Sequence, residues 1–259
     1  MAKLRDYRSK ADEQTIAKAL QGHWREEHLF ELGQAVALYD TYQEKMAECD
    51  RRIEAHLNTF EDRSDGGPVV RDPKKKTRQH NAPHLDLQTH MYRMTGVDLS
   101  KIDGIDGYTA LKVISEVGLD MTRWPTVKHF TSWLGLCPGS KITGGKVKSS
   151  RSKPSANRAA AALRLAANSL HRSNSALGAF LRRKKAQLGA PQAITATAHK
   201  LARLIYSMLK YGQEYVDAGQ DYYESQYRER ALRNLTRRAT ELGYSLVATR
   251  QTTPTTAIP

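Results

Sequence analysis

The sequence predicts a mainly α-helical chain, on three observations. Apolar residues recur at steps of three and four through most of the chain. No convincing strand-like alternation of apolar and polar residues interrupts them. The segments so defined are separated by Gly, Pro and short polar runs. The architecture expected is a long coiled-coil-like helical arm plus a compact basic all-helical domain with a helix-hairpin-helix-like turn. The boundaries expected are 1–60 for the arm, 61–84 for a basic linker, 85–245 for the domain and 246–259 for a disordered tail.

Met1 to Gly22 is mixed polar, with Ile16, Ala19 and Leu20 at helical spacing. From Glu27 to Phe60 the pattern is strongly helical. Leu32, Val36, Tyr39, Gln43, Met46, Asp50, Ile53 and Leu57 form a heptad seam with two polar interruptions, flanked by Glu44, Lys45, Glu48, Arg51 and Arg52. Such a seam serves either as one helix of an intramolecular bundle or as a pairing arm between copies of the chain. The second reading makes the protein a homo-oligomer, dimer or tetramer, held through the Leu32–Leu57 helix.

Glu61 to Pro83 breaks the periodicity with Asp65-Gly-Gly-Pro, Asp72-Pro and Lys74-Lys-Lys-Thr-Arg78. That charge run either touches phosphate or is simply solvated. Leu85 to Thr95 predicts a short helix. Two apolar periods then flank Ile102-Asp-Gly-Ile-Asp-Gly107. In a helix-hairpin-helix, Gly104 and Gly107 would let backbone N–H groups meet a phosphate. Asp106 at the turn favours an ordinary packed helix–turn–helix instead. Trp124, Phe130, Trp133 and Leu134 lie at helical spacing and are expected to be core anchors. Further helices are expected from Ala156 to His171, Ser173 to Gln187, Pro191 to Tyr215 and Tyr222 to Leu242. The small side chains of the first permit close packing.

Charge is distributed unevenly. Met121 to Gln213 holds 17 Lys and Arg and no Asp or Glu, whereas the whole chain carries +14, so the remainder nets −3. A carboxylate-free stretch of this kind attracts a polyanion, and nucleic acid is the first candidate. Mean hydropathy is −0.63, no apolar run reaches membrane-spanning length, and Cys49 and Cys137 stand apart. A cytoplasmic protein, with no membrane partner, is the expectation.

Within the basic stretch, Leu136-Cys-Pro-Gly-Ser-Lys-Ile-Thr-Gly-Gly-Lys-Val-Lys148 forms a Gly-rich turn. A phosphate-binding loop of the nucleotide-hydrolase kind is excluded, because Gly145-Lys146 is followed by Val. His80, His84 and His90 have no thiolate or carboxylate at metal-ligand spacing, so no metal site is expected. A Ser-His-Asp hydrolase would need an acid near the turn. The hydroxyls remain: Ser140, Thr143, Ser149, Ser150 and Ser152. A hydroxyl attacks phosphorus when a base takes its proton and cations hold the developing charge. Thr143 is best placed, since Gly144 and Gly145 let a DNA backbone approach, and Lys141, Lys146, Lys148, Arg151 and Lys153 would neutralise it. The alternative is a non-catalytic nucleic-acid-binding and dimerisation module, with Thr143 one donor among several.

Trp124-Pro-Thr-Val-Lys-His-Phe-Thr-Ser-Trp-Leu-Gly-Leu-Cys-Pro-Gly139, followed by Thr143-Gly-Gly-Lys146, resembles the C-terminal transposase domain of insertion-sequence family 110/116/902. Ile102 to Gly107 and Asn157-Arg158 match the same pattern. The resemblance implies a DNA transposase guided by a structured noncoding RNA of the element. It implies a nucleophilic hydroxyl at Thr143, where the family places serine, and Arg158 among the nucleic-acid contacts. It also implies an N-terminal RuvC-like acidic domain holding Mg²⁺, which is not recognisable in this sequence. The chain is therefore expected to be a truncated or split copy, inactive alone, with no cofactor of its own, acting in a bacterial cytoplasm at the nucleoid.

Overall fold

A computed structural model describes residues 2–22, 25–66, 83–149, 152 and 154–247. The expected Lys74–Arg78 run and the tail from residue 248 lie outside the described residues, as do Arg151 and Lys153. The chain divides into two compact units, Met1–His56 and Leu57–Pro259.

The first unit holds α1 (Glu13–Ala19) and most of α2 (Glu26–Asn58). Asp12 caps α1 by accepting the Thr15 N–H at 2.7 Å, satisfying one of the orphan donors of the first turn. The 33 residues of α2 carry the heptad seam, yet Leu57 is the only side chain of that helix that is buried. On its outer face Glu48 accepts from Lys45 at 3.2 Å and from Arg52 at 2.8 Å. Pairs of this exposure contribute only about 0.3–0.5 kcal/mol each.

The second unit is built from α3 (Leu87–Thr95), α4 (Gly107–Val117), α5 (Val127–Trp133), a hairpin of β1 (Lys141–Thr143) and β2 (Lys146–Ser149), α6 (Arg158–Ser169), α7 (Ala176–Leu188), α8 (Ala190–Tyr211) and α9 (Gly219–Glu241). The mainly helical expectation holds. The hairpin corrects the expectation of an all-helical domain. At α3, Arg93 donates to the Leu57 carbonyl at 2.6 Å and to that of Phe60 at 3.3 Å, tying off the last turn of α2.

Helix α8 is the axis of this unit and packs against α5, α6 and α7. Its stripe of Ala198, Leu201, Ala202, Ile205 and Tyr206 is at most 1 % exposed, the face that steps of three and four produce on a helix. Helix α6 packs against it, and the buried side chains of α6 are mostly alanine, whose methyl groups let backbones come close. Helix α4 lies on α6, and α9 on α7. Phe130 is fully buried, 5.1 Å from the Trp124 ring and 5.6 Å from that of Tyr206. The Tyr206 hydroxyl donates to the Trp124 carbonyl at 2.9 Å, and Lys210 donates to the same oxygen at 2.9 Å. Trp133 departs from its expected role as a core anchor: it stays 39 % exposed at the edge of this aromatic cluster.

Candidate nucleic-acid interface

The Gly-rich turn folds as a two-stranded antiparallel hairpin with Lys141 opposite Ser149, Ile142 opposite Val147 and Thr143 opposite Lys146. Gly144 and Gly145 form the two-residue connection with φ of 56° and 74°. Positive φ at both central residues belongs to the turn whose twist matches that of the flanking strands, and glycine adopts it without penalty. A Cβ built on either glycine would meet nothing within 4 Å, so backbone conformation, not packing, calls for glycine here.

Between the first two pairs, one step along β1 spans two steps along β2. Lys148 is therefore the extra residue of a bulge, which bends the strand and turns its side chain aside from the regular ladder. An isolated bridge between Pro138 and Ser152 closes the base of the excursion.

Thr143 is exposed, as are Lys141, Gly144, Gly145, Lys146 and Lys148. As a cross-strand pair, Thr143 and Lys146 share one face of the hairpin. The hairpin thus brings a solvent-facing hydroxyl and three lysines together, with no acid among them in sequence. That combination suits a phosphodiester: cations to neutralise it, and a turn without side chains to let it approach.

The other expected contacts lie elsewhere. Arg158 opens α6 behind the cap Asn157, whose Oδ1 accepts the Ala160 N–H at 3.0 Å. Its side chain is 89 % exposed, with Nε 3.8 Å from a Glu116 carboxylate oxygen on α4. Gly104 and Gly107 have packing reasons to be glycine. A Cβ on Gly104 would come within 2.9 Å of the Ala166 carbonyl, and one on Gly107 within 2.9 Å of the Gln88 nitrogen. Between them, Asp106 caps α4 by accepting the Thr109 N–H at 2.8 Å, so a carboxylate already occupies that helix N-terminus.

A second basic cluster, on α7, α8 and α9, escaped the reading of the sequence. The Lys200 ammonium lies 4.5 Å from the Phe180 ring centroid and 5.4 Å from that of Tyr223. The Arg183 guanidinium sits 3.4 Å from the centroid of Tyr227, and its buried Nε finds no hydrogen-bond acceptor among the described residues. Burial holds Lys200 below the usual lysine range, with Arg230 and Arg203 adding repulsion. Burial likewise lowers His199, and Arg203 lowers it further. The signal was a stripe on each helix: Phe180 and Arg183, then His199 and Arg203, then Tyr223, Tyr227 and Arg230. Only the packing of three helices joins them.

Among the described residues, no group of three or more His, Cys, Asp or Glu is placed to hold a metal ion. The hairpin's own donors, hydroxyls and ammonium groups, do not suit Mg²⁺, which prefers carboxylates and water.

Residues 98–182 match the family model described as Transposase IS116/IS110/IS902 family. Over that stretch the chain is similar to that transposase family. The match runs from the turn before α4 into α7, so the hairpin lies inside it and α8 and α9 lie beyond. No curated protein matches the chain. The transposase domain connects this protein with the movement of insertion sequences, and no described helix is long and apolar enough to cross a membrane.

Proposed function

We propose that the hairpin is the DNA-attacking element of a transposase, with the Thr143 hydroxyl as its nucleophile. The observation that carries this reading is the exposed Thr143 beside Lys146 on a two-glycine turn, in a stretch without a single carboxylate. In the step proposed, Thr143 Oγ1 forms a bond to phosphorus and its proton passes to a base. The bond from phosphorus to one bridging oxygen breaks, and that oxygen leaves with the DNA end and takes up a proton. Lys141, Lys146 and Lys148 stabilise the charge that builds on the phosphoryl oxygens. Arg158, exposed at the start of α6, would supply a separate phosphate contact.

The fuller reading keeps DNA as substrate, a structured noncoding RNA of the element as guide, and a homo-oligomer paired through Leu32–Leu57, at work in a bacterial cytoplasm at the nucleoid. Mg²⁺ would need carboxylates from an acidic domain outside the described residues, and no step above passes through it.

The test is a protein–DNA adduct. The chain is mixed with labelled element-end DNA, Mg²⁺, the element RNA and a family transposase whose own nucleophile has been replaced by alanine. Label should migrate with this chain on a denaturing gel, vanish in Thr143→Val and persist in Thr143→Ser. An adduct that survives Thr143→Val sinks the assignment. Salt-sensitive DNA binding with no adduct under any of these conditions points to the binding module instead.

A further inference from the structure

A groove of about 770 Å³ opens between the base of the hairpin and helices α7 and α8. Leu136, Pro138, Phe180 and Leu188 give it apolar walls, and Gln192 and His199 bring polar edges into it. Its size falls within the range of small-molecule sites, and its lining suits a flat heterocycle that is apolar on its faces and polar at its rim. His199 is held toward its neutral form by burial, so its ring offers one donor and one acceptor rather than a second charge.

The surroundings specify the rest of the ligand. Phe180, which lines the groove, also carries the Lys200 ammonium 4.5 Å from its centroid. Arg203 stands one helical turn beyond His199, close enough to depress it, and Arg230 and Arg203 both repel Lys200. Among the described residues no carboxylate forms an ion pair with Arg183, Lys200, Arg203 or Arg230. Arg203 and Arg230 are solvent-exposed, whereas Lys200 and Arg183 are half-buried against rings that offset part of their desolvation through cation–π contact, and a bound anion would offset more. An apolar slot beside uncompensated cations is the chemistry of a nucleotide: a base and its phosphate.

Position narrows it further. Ser149 lines the groove and pairs with Lys141, two residues along β1 from Thr143. At about 3.4 Å per residue that separation is roughly 7 Å, which a single nucleotide of an unstacked strand covers. We propose that the groove receives one base unstacked from the DNA strand whose phosphodiester faces Thr143, while the α7–α9 cations hold the adjoining phosphate. The placement of the base rests on the Thr143 reading; the groove's preference for a base does not.

The test uses the full chain and single-stranded element-end DNA in which 2-aminopurine replaces one base at a time. Fluorescence should change at one position or two neighbouring positions only. Ala196→Trp, which fills the groove, should abolish that local change and weaken single-strand binding about tenfold, the scale of one lost stacking contact. Duplex affinity should hold. Leu188→Trp, at the exposed lip, should act in the same direction with less risk to folding. Thr143→Val should leave the fluorescence pattern intact. A pattern localised by the groove without any adduct would reject Thr143 as nucleophile and keep the base site. Equal fluorescence at every position, or full single-strand affinity in both tryptophan variants, overturns the base site whatever the adduct assay shows.

Discussion

Helices α2 and α8 are both long and both carry apolar residues at steps of three and four, yet they meet opposite fates. Over 22 residues α8 buries eight side chains; over 33 residues α2 buries Leu57 alone. Width explains the difference. On α8, apolar and small residues fill adjacent columns, so α5, α6 and α7 each find a face to lie against. On α2 the seam is narrow and broken by Gln43 and Asp50, and Tyr39 and Met46 stay 58 % and 42 % exposed. Periodicity identifies a helix, but only breadth of the apolar arc shows that its own chain will cover it.

The comparison is most easily broken at Leu201, which is fully buried on α8. Leu201→Ala should lower unfolding free energy by about 2–5 kcal/mol, read from urea melts. A loss as small as that of a surface variant would mean α8 is not the axis. Next in size is Tyr206→Phe, which removes the hydroxyl bonded to the Trp124 carbonyl and should cost about 1 kcal/mol. Lys210 keeps that oxygen satisfied, so a larger loss would indicate that the lysine moves too. Met46→Ala on α2 should fall within about 0.5 kcal/mol when the chain is dilute, as an exposed substitution does. If instead the seam pairs two copies, light scattering should show the same variant dissociating at a higher concentration than the parent.

The smallest effect expected is at His199. Its folded-state value lies below the ordinary histidine value near 6.5, chiefly through burial and secondarily through Arg203. Between those two values the unfolded chain binds the proton more readily than the folded one. Stability contributed by neutral His199 is thus intact above about pH 6.5 and declines on acidification through that window. The ring resonances of His199 should titrate with a midpoint below 6.5, and a midpoint above it would contradict the burial described.

The helices were legible in the sequence to within a few residues because each contains enough turns for a period to register. Helix α6 was expected from Ala156 to His171 and spans Arg158–Ser169. The hairpin was not legible as strands. Three and four residues are too few for alternation to register, and Ile142, the apolar member of β1, is 62 % exposed, so no buried face accompanies it. The Gly144-Gly145 pair, with Ile142 and Thr143 before it and Val147 one residue beyond, was the available signal. Thr143 and its lysines were readable because they are adjacent in sequence. Phe180, His199, Lys200 and Tyr223 were not, since no short-range pattern links three separate helices.

The bridge between Pro138 and Ser152 has an engineering consequence. Bridged residues hold their Cα atoms about 4.5–5.5 Å apart, so the excursion leaves and re-enters the domain through almost the same point. The excursion is therefore a cassette: a longer or shorter version from a similar transposase domain can be spliced between those two residues without stretching the chain. Transplants of this kind would let the hydroxyl, the lysines and the turn be exchanged as a set while the helices beneath stay untouched.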